Sequence, residues 1–332
     1  MERPVNTKLA GLIVLAATLA VSQPSQGQVA QPRPAAGAAL ETIAIRPPHV
    51  YAIFGAGGNI VMHVGEDGVV LVDSGSAAMA EQVLAEVRKI TKEPIRLIIN
   101  TSADVDHIGG NQRVARDGAR MDPRSVESGA EMLAHENVLN RVSAPTGEQS
   151  AFPLASWPTD TYISRIKSMY LNDEGIQVIH HQAAHSDGDS VVFFRRADVV
   201  VTGDIIDLRR FPMIDTARGG SIQGEIDALN ALLELAIPAM PLIYKPGRTL
   251  VVPGHGRVSD HAEIVEYRDM VTVIRDRIQS MLNKGLTLDQ VKAANPTVGY
   301  RTRYGSDTGA WTTNMFVEAV YKGLSLKQSS RD

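Results

Sequence analysis

The 332-residue sequence predicts an α/β fold with mixed β-sheets. Two observations support this class. Short β-rich runs alternate with amphipathic helical segments along most of the chain, and the first runs are joined by glycine turns that suit hairpins. Hairpins pair neighbouring strands antiparallel, which argues against a purely parallel, doubly wound sheet. Apolar residues at 44% and charged residues at 21% allow a sizeable buried core.

The first strands after residue 48 are predicted to form hairpins. Val50–Phe54, 59–64 and 69–73 are short runs rich in β-branched and aliphatic residues. Gly55–Gly58 separates the first two runs, and Glu66-Asp67-Gly68 separates the second two. We interpret the glycine-rich stretch as a hairpin turn rather than a phosphate-binding loop, because no strand–helix unit surrounds it.

Helices and strands then interleave as far as the C-terminus. Apolar side chains at helical spacing predict helices over 77–90 and 226–236, and capping residues predict tail helices from Asp260 to Lys284 and from Thr287. Further strands are predicted over 95–100, 176–180, 191–194, 199–202 and 249–252. No change of composition marks a second domain, so we expect one domain over 49–327, with a helical extension from about residue 260.

The first 27 residues have the pattern of a secretory signal peptide. Arg3 and Lys8 precede an apolar run over 9–21, and Ser25-Gln26-Gly27 offers a small-x-small cleavage site near Gly27. The alternative is a membrane anchor, but this run spans only about 20 Å as a helix, against a bilayer core of roughly 30 Å. We therefore expect a periplasmic or secreted protein without a membrane anchor after leader removal. Residues 28–48, which hold four prolines, are predicted to be a linker.

Composition excludes several function classes. The chain has no cysteine, which excludes disulfides, zinc–thiolate sites, iron–sulfur clusters and thiol nucleophiles. The net charge of −4 gives no basic surface for nucleic acid. No Gly-x-Ser-x-Gly motif marks a serine hydrolase. Any metal ion must therefore be held by histidine and carboxylate side chains.

Residues able to bind a metal concentrate in four loops, each of which follows an apolar strand. These loops cover 100–111, 185–190, 202–204 and 253–256. Each loop alone resembles an ordinary turn, but four in series favour one shared site, because α/β proteins gather their sites at the carboxyl ends of strands. Imidazole and carboxylate together suit Zn, Mn or Fe(II).

The order of these loops resembles the metallo-β-lactamase-fold hydrolase superfamily. Its first motif, Thr-His-x-His-x-Asp-His before Gly-Gly-Asn, is similar to the stretch from Thr101 to Asn111. Three further segments resemble the family's later motifs: His185-Ser186-Asp187-Gly188-Asp189-Ser190, Thr202-Gly203-Asp204 and Gly254-His255-Gly256. Val72-Asp73-Ser74-Gly75 matches the Asp-x-Gly that closes an early strand. The resemblance covers about residues 48–260 and implies a four-layer αββα sandwich of two mixed β-sheets, with the metal at one edge.

The resemblance also implies the metal ligands. Ser102 and Asp104 stand where the family has its first two histidines, so the first metal site keeps His185, with Asp104 as a candidate ligand. The second site is intact in Asp106, His107 and His255, and Asp204 matches the aspartate that bridges two metals. We expect one or two zinc ions, with Mn or Fe as alternatives because carboxylates favour harder metals.

The function implied by the resemblance is that of an exported metal-dependent hydrolase. Metal-activated water would attack an ester, lactone, thioester or amide bond of a small molecule, β-lactams being one such class. Asp106 and Asp204 are both candidates to orient the water, and Asp106 is taken as the catalytic residue. The alternative is a catalytically reduced protein of the same fold that binds a metal or ligand, and Ser102 and Asp104 keep it open. Redox or sulfur chemistry on the same scaffold is a third hypothesis. The sequence does not indicate an oligomeric state.

Two other polar residues receive structural interpretations. Asn111 falls near a predicted helix start and is interpreted as a helix cap rather than an oxyanion donor. His135 is expected within a helix and away from the site.

Overall fold

The computed structural model describes residues 39–122, 124–125, 127–146, 149–150, 152–239 and 247–329. The predicted signal peptide over 1–27 and the first part of the predicted linker lie outside the described residues. Within the described ranges, no helix is both long and apolar enough to span a membrane.

The described chain alternates strands and helices, which confirms the predicted α/β class. Its strands are β1 (Glu41–Arg46), β2 (Val50–Phe54), β3 (Ile60–Gly65), β4 (Gly68–Val72), β5 (Ile95–Ile99), β6 (Glu131–His135), β7 (Pro145–Thr146), β8 (Gln149–Ser150), β9 (Asp160–Tyr162), β10 (Ile166–Leu171), β11 (Glu174–His180), β12 (Ser190–Phe194), β13 (Val199–Asp207) and β14 (Leu250–His255). Its α-helices are α1 (Ala80–Ile90), α2 (Val105–Ile108), α3 (Asn111–Arg116), α4 (Glu136–Ser143), α5 (Ile222–Leu235), α6 (His261–Asn283), α7 (Leu288–Ala293), α8 (Arg301–Tyr304) and α9 (Thr313–Ser329). Short 3₁₀ turns cover Ala77–Met79, Leu154–Ser156 and Thr216–Arg218.

The strands form two mixed sheets, as predicted. In the first sheet the order is β1-β2-β3-β4-β5-β6-β9, antiparallel from β1 to β4 and parallel from β4 to β9. In the second the order is β10-β11-β12-β13-β14, and only the β13–β14 pair is parallel. The β2–β3 and β3–β4 pairs are the predicted hairpins.

Three apolar layers hold the sheets and helices together, and they confirm the four-layer αββα sandwich. The central layer lies between the sheets and includes Val61, Val72 and Ile99 of the first sheet and Val192 and Val201 of the second. The outer face of the first sheet packs against α1 and α3, and that of the second packs against α5, α6 and α9. Because aliphatic side chains face both sides of the inner strands, β4 and β13 are buried along their whole lengths.

The predicted boundary between linker and domain at residue 48 is wrong. Residues 41–46 form β1 and pair antiparallel with β2, from Glu41 opposite Phe54 to Arg46 opposite Val50. Leu40, just before this strand, packs into the apolar cluster under α1. Most side chains of β1 are exposed or half-buried. This edge strand therefore lacks the hydrophobic pattern by which the other strands were predicted. The prolines on either side of it favoured the interpretation of the whole segment as a linker.

The structure also corrects two local interpretations. His135 ends β6 instead of lying within a helix, and its ring stacks on His180 with the ring centres 3.6 Å apart. Asn111 does not cap its helix, because the N-cap of α3 is Gly110 and makes no side-chain bond. The buried Asn111 amide instead accepts from Ser74 Oγ at 2.8 Å and donates to Ser156 O at 3.1 Å. It therefore joins α3 to the segment after β4 and to the 3₁₀ turn at Leu154–Ser156.

Candidate metal centre

The structure brings all the sequence-predicted ligands to one edge of the sandwich, in two adjoining groups. In each group, one donor atom from each side chain lies within 4.8 Å of the others. The groups are Asp106, His107 and His255, and Asp104, His185 and Asp204. Asp204 lies in β13 and His255 ends β14, while the others come from the segments after β5 and β11. Ligands distant in sequence thus converge because the segments after β5 and β11 meet β13 and β14 at the same edge.

The spacing of the first group fits a bound dication, and Asp204 also contributes to it. Asp204 Oδ1 lies 3.1 Å from His107 Nε2 and 3.4 Å from His255 Nε2. His255 Nε2 lies 3.2 Å from Asp106 Oδ2. Tetrahedral zinc with bonds of 2.0–2.1 Å separates its ligand atoms by about 3.3–3.4 Å. These four side chains therefore have the spacing and the donor chemistry of a single metal site.

Asp73 holds His107 from behind. Its Oδ2 lies 2.6 Å from His107 Nδ1, which leaves Nε2 facing the other ligands. Thr101 fixes the carboxylate in turn, donating its backbone N–H to Oδ1 at 2.8 Å and its hydroxyl to Oδ2 at 2.7 Å. A carboxylate on the far nitrogen of a ligating histidine sets the ring's orientation and raises its basicity.

The glycine turn between β2 and β3 packs directly against the ligands. A Cβ on Gly58 would lie 2.8 Å from His107 Cε1, and one on Gly57 would lie 2.9 Å from Asp106 Cβ. The Gly58 N–H donates to Asp106 O at 3.0 Å. The structure confirms that this segment is a hairpin turn. Its lack of side chains lets the backbone approach the two ligands.

Asn59 fixes the segment that carries His255, and sequence reasoning missed it. Its Nδ2 donates to Pro253 O and Gly256 O, both at 2.8 Å, and its backbone N–H donates to Gly254 O at 2.8 Å. The partners are almost two hundred residues away, so no local pattern in one sequence indicates this role.

Opposite charges pair throughout the first group. Burial disfavours a charge on His107, but Asp204 and Asp73 outweigh this and raise its pKa well above the ordinary value. Burial also opposes the charge on Asp204, yet His107 and its other partners hold the pKa well below the usual range. For His255, bonds to Asp106 and Asp204 overcome burial and raise the pKa. A dication would compete for these same lone pairs and release the protons.

The second group has a different geometry. His185 Nε2 lies 2.6 Å from Asp104 Oδ2, and the Arg218 guanidinium donates to Asp104 Oδ1 at 2.5 Å. His185 Nε2 is 3.9 Å from Asp204 Oδ2. Contacts this short are direct contacts between oppositely charged groups, and they are well below the roughly 3.3–3.4 Å that separates two ligand atoms on one zinc ion. As described, this group is an ion-pair cluster, and it does not fit a metal as the first group does.

Sequence reasoning also missed the wall of the adjoining cleft. An open cleft beside the first group is lined by Asp106, Asp204, Asp207, Arg210, Met213 and His255. Arg210 Nε lies 2.7 Å from Asp207 Oδ2, and Arg209 Nε lies 3.1 Å from Oδ1 of the same residue. Asp207 is shared by two guanidinium groups, and of these two only Arg210 lines the cleft, where it places a positive charge beside the acidic ligands.

Comparison with known proteins agrees with this geometry. The family model of the Metallo-beta-lactamase superfamily matches residues 54–255. The linear primary-alkylsulfatase of Pseudomonas sp. (strain ATCC 19151) is 25% identical over an alignment of 301 positions, which covers 77% of this chain and 54% of that protein. The chain thus spans about half the length of this curated relative.

Two solved structures share the fold. The stereoselective inverting sec-alkylsulfatase from Pseudomonas sp. superposes with a TM-score of 0.60 at 16% identity, over 85% of this chain and 50% of that one. The metallo-beta-lactamase from Pontibacter korlensis superposes with a TM-score of 0.53 at 18% identity, over 70% of this chain and 99% of that one. With the two-sheet sandwich, the clustered ligands and a match over more than half its length, this chain belongs to the metallo-beta-lactamase superfamily.

Proposed function

We propose that this chain is an exported metal-dependent hydrolase that cleaves an ester of a small anionic molecule, with sulfate monoesters as the substrate class. The observation that carries the proposal is the group formed by Asp106, His107, Asp204 and His255, whose donor atoms have metal-ligand spacing and border an open cleft. Membership of a superfamily of metallohydrolases supports hydrolysis as the reaction.

We assign these residues two roles, binding the metal and orienting the attacking water. A zinc ion held there would lower the pKa of its bound water toward 7 and polarise the bond under attack. His107 and His255 are buried, whereas the Asp106 side chain is 34% exposed and borders the cleft. Asp106 is therefore the ligand placed to accept a hydrogen bond from the attacking water and to orient it.

The metal is proposed to be zinc. Two imidazoles and two carboxylates suit Zn, while the carboxylate share keeps Mn and Fe(II) as the alternatives to test.

The position of Arg210 favours an anionic substrate. Its guanidinium lines the cleft, and its partner Asp207 is already shared with Arg209. Planar guanidinium groups bind tetrahedral oxyanions through paired N–H donors. The alkylsulfatase relative, by its name, acts on a sulfate ester, which is why this class comes before carboxylic esters, lactones, thioesters and amides.

The test is turnover by the purified mature chain after chelation and after reloading with Zn, Mn or Fe(II). The panel contains alkyl and aryl sulfates, carboxylic esters, lactones, thioesters and β-lactams. We expect sulfate ester hydrolysis that chelator abolishes and metal restores. Turnover confined to carboxylic or β-lactam substrates would overturn the sulfate assignment. No turnover across the panel with metal bound would favour the catalytically reduced binding protein.

A matched pair of variants tests the role of Arg210. Both Arg209 and Arg210 contact Asp207, but only Arg210 lines the cleft. Arg210→Met should raise KM for anionic esters at least tenfold and change KM for neutral esters little, whereas Arg209→Met should leave both within about threefold. Equal effects of the two variants on both substrate types would contradict the proposal.

A further inference from the structure

We infer that the Arg218 guanidinium takes the place of the first metal ion, so that the chain binds one dication and not two. The inference rests on the metal site of the proposed function and adds its stoichiometry. The resemblance places a first metal among the residues at positions 102, 104 and 185, with Asp204 as the bridge. The structure places a cation from the chain itself on Asp104, one of the residues that would hold this metal.

The contacts of Asp104 indicate that its carboxylate is paired with other side chains and does not have the spacing of a metal ligand. One carboxylate oxygen lies 2.6 Å from His185 Nε2, and the other accepts from Arg218 Nη2 at 2.5 Å. Two atoms bound to the same zinc would lie about 3.3–3.4 Å apart, as the donor atoms of the first group nearly do. Asp104 therefore bonds directly to His185 and Arg218, and both of its oxygens are used.

The position of Arg218 is fixed by the fold. Its Nε donates to Asp215 Oδ2 at 2.6 Å, and its backbone N–H donates to Asp215 Oδ1 at 3.0 Å. The same loop is bonded to the His185 segment, since Asp215 N donates to His185 O and Asp187 N donates to Arg218 O, both at 2.9 Å. The Arg218 side chain is only 24% exposed. The guanidinium is thus half-buried and held between two carboxylates.

The close approach of this loop depends on a glycine. A Cβ on Gly220 would lie 2.1 Å from His185 O, so no larger residue fits there without moving the backbone. Loop 215–220 is therefore packed tightly against the segment that carries His185, and this packing brings Arg218 within reach of Asp104.

Ser102 completes the replacement. Its hydroxyl lies 3.4 Å from Asp204 Oδ2 and accepts from the Asp104 backbone N–H at 3.3 Å. A serine hydroxyl is a poor zinc ligand beside imidazole and carboxylate. Asp204, which faces both groups, is then left to serve the single dication held with Asp106, His107 and His255.

The experiment counts metals in the mature full chain. Chelator-treated wild type, Asp104→Asn and Asp106→Asn are incubated with excess Zn²⁺ or Co²⁺, separated from free metal by gel filtration and assayed by elemental analysis. We expect one dication per chain in the wild type, one in Asp104→Asn and none in Asp106→Asn. Thermal unfolding of each variant shows whether it is folded, and Arg218→Lys, which keeps the positive charge, should also bind one.

Each other outcome overturns a distinct statement. Two dications in the wild type, or the loss of a dication in folded Asp104→Asn, would show that Asp104 is a metal ligand and would overturn the inference. A dication bound by folded Asp106→Asn as tightly as by the wild type would overturn the assignment of the single site to the group that contains Asp106. If the wild type bound no dication, both the proposed metal centre and the inferred stoichiometry of one dication per chain would be overturned. The metal count does not depend on turnover, so it also separates this inference from the choice of substrate.

Discussion

At the scale of single residues, the site depends on side chains that are not ligands. Asp73 and Asn59 fix His107 and the His255 segment through hydrogen bonds, and Gly57 and Gly58 leave room for the ligands themselves. The ligand residue types were predictable, because histidine and aspartate after strands suit metal chemistry. Asn59 and Arg218 were not, since their partners lie far away in the sequence and nothing local indicates them.

Adding one methyl group at Gly58 should disturb metal binding. The new Cβ would lie 2.8 Å from His107 Cε1, so the imidazole or the hairpin must move away from its position. Gly58→Ala should weaken zinc affinity at least tenfold, measured by competition with a chromophoric chelator. Gly323→Ala is the matched control, because a Cβ there meets nothing within 4 Å. Equal zinc affinity in both variants would argue against the hairpin as a support for His107.

Weakening the carboxylate behind His107 should also weaken the metal. Asp73→Asn keeps the shape of the side chain but removes the negative charge 2.6 Å from Nδ1. Loss of such a supporting group typically costs roughly 10–100-fold in metal affinity. The control is Asp117→Asn, which removes the charge of a side chain whose ion pairs are with Arg88 and Arg113 and not with the ligands. We expect unchanged affinity in the control, and the same result in Asp73→Asn would contradict the role assigned to Asp73.

At the scale of elements, strongly patterned segments were predictable and weakly patterned ones were not. The runs that became β4 and β13 are buried along their whole lengths, and the other predicted strands, β2, β3, β5, β11, β12 and β14, also hold several apolar residues each. Strands β6 and β9 are short and pair in parallel with distant partners. Their stability comes from that pairing, which a local pattern does not contain. Strand β1 was also missed, because its side chains are exposed or half-buried and show no hydrophobic pattern.

A histidine between the sheets should make stability depend on pH. His63 of β3 stacks on Phe194 of β12, with ring centres 5.3 Å apart. Burial, with a smaller effect from His49, lowers the pKa of His63 to about 4, below the unfolded value of 6.5. The unfolded chain then binds the extra proton between these values, so this contribution to the free energy of unfolding falls as pH drops from about 6.5 to 4.

The variant His63→Phe removes this proton and keeps an aromatic ring. Chemical unfolding at pH 7.5 and pH 4.5 should show a smaller loss of stability in the variant than in the wild type. The substitution removes the contact between His63 Nδ1 and Asn172 Nδ2, which are 3.3 Å apart. The Asn172 amide keeps its hydrogen bond to Gly68 O at 2.9 Å, so it is not left unpaired. An identical pH dependence in both proteins would show that His63 does not titrate as proposed.

At the scale of the whole molecule, the proposed metal ligands connect the two sheets. Asp106 and His107 follow β5 of the first sheet, while Asp204 and His255 belong to β13 and β14 of the second. The family resemblance implied this meeting of distant loops, whereas residue periodicity alone left the topology open. Arg218 shows the limit of the resemblance, because it enters through a loop whose path the motifs do not specify.

Export can be tested independently of the site. In a bacterial host, the mature chain should begin near Gln28 and be recovered in the periplasm or the medium, as measured by intact mass and fractionation. Leu15→Arg interrupts the apolar run and should keep the chain unprocessed, because a charged residue there disfavours insertion. Ala36→Arg, beyond the proposed cleavage site, is the control and should be processed normally. Recovery of full-length wild type in the membrane fraction would contradict the signal-peptide prediction.

Because the ligands come from both sheets, removing the metal should lower the stability of the whole domain. A ligand bound only by the folded state, at a free concentration of 100 times its Kd, stabilises that state by about 2.7 kcal/mol. For a domain of this size, such a change corresponds to a fall in Tm of roughly 5–10 °C on chelation, reversed by adding zinc. In His255→Gln, which lacks the ligand from β14, chelation should change Tm little. His261→Gln lies in the next helix outside the ligand group and should keep the full wild-type shift. Equal shifts in the two variants would mean that the metal does not depend on His255 and that the two sheets are not joined through it.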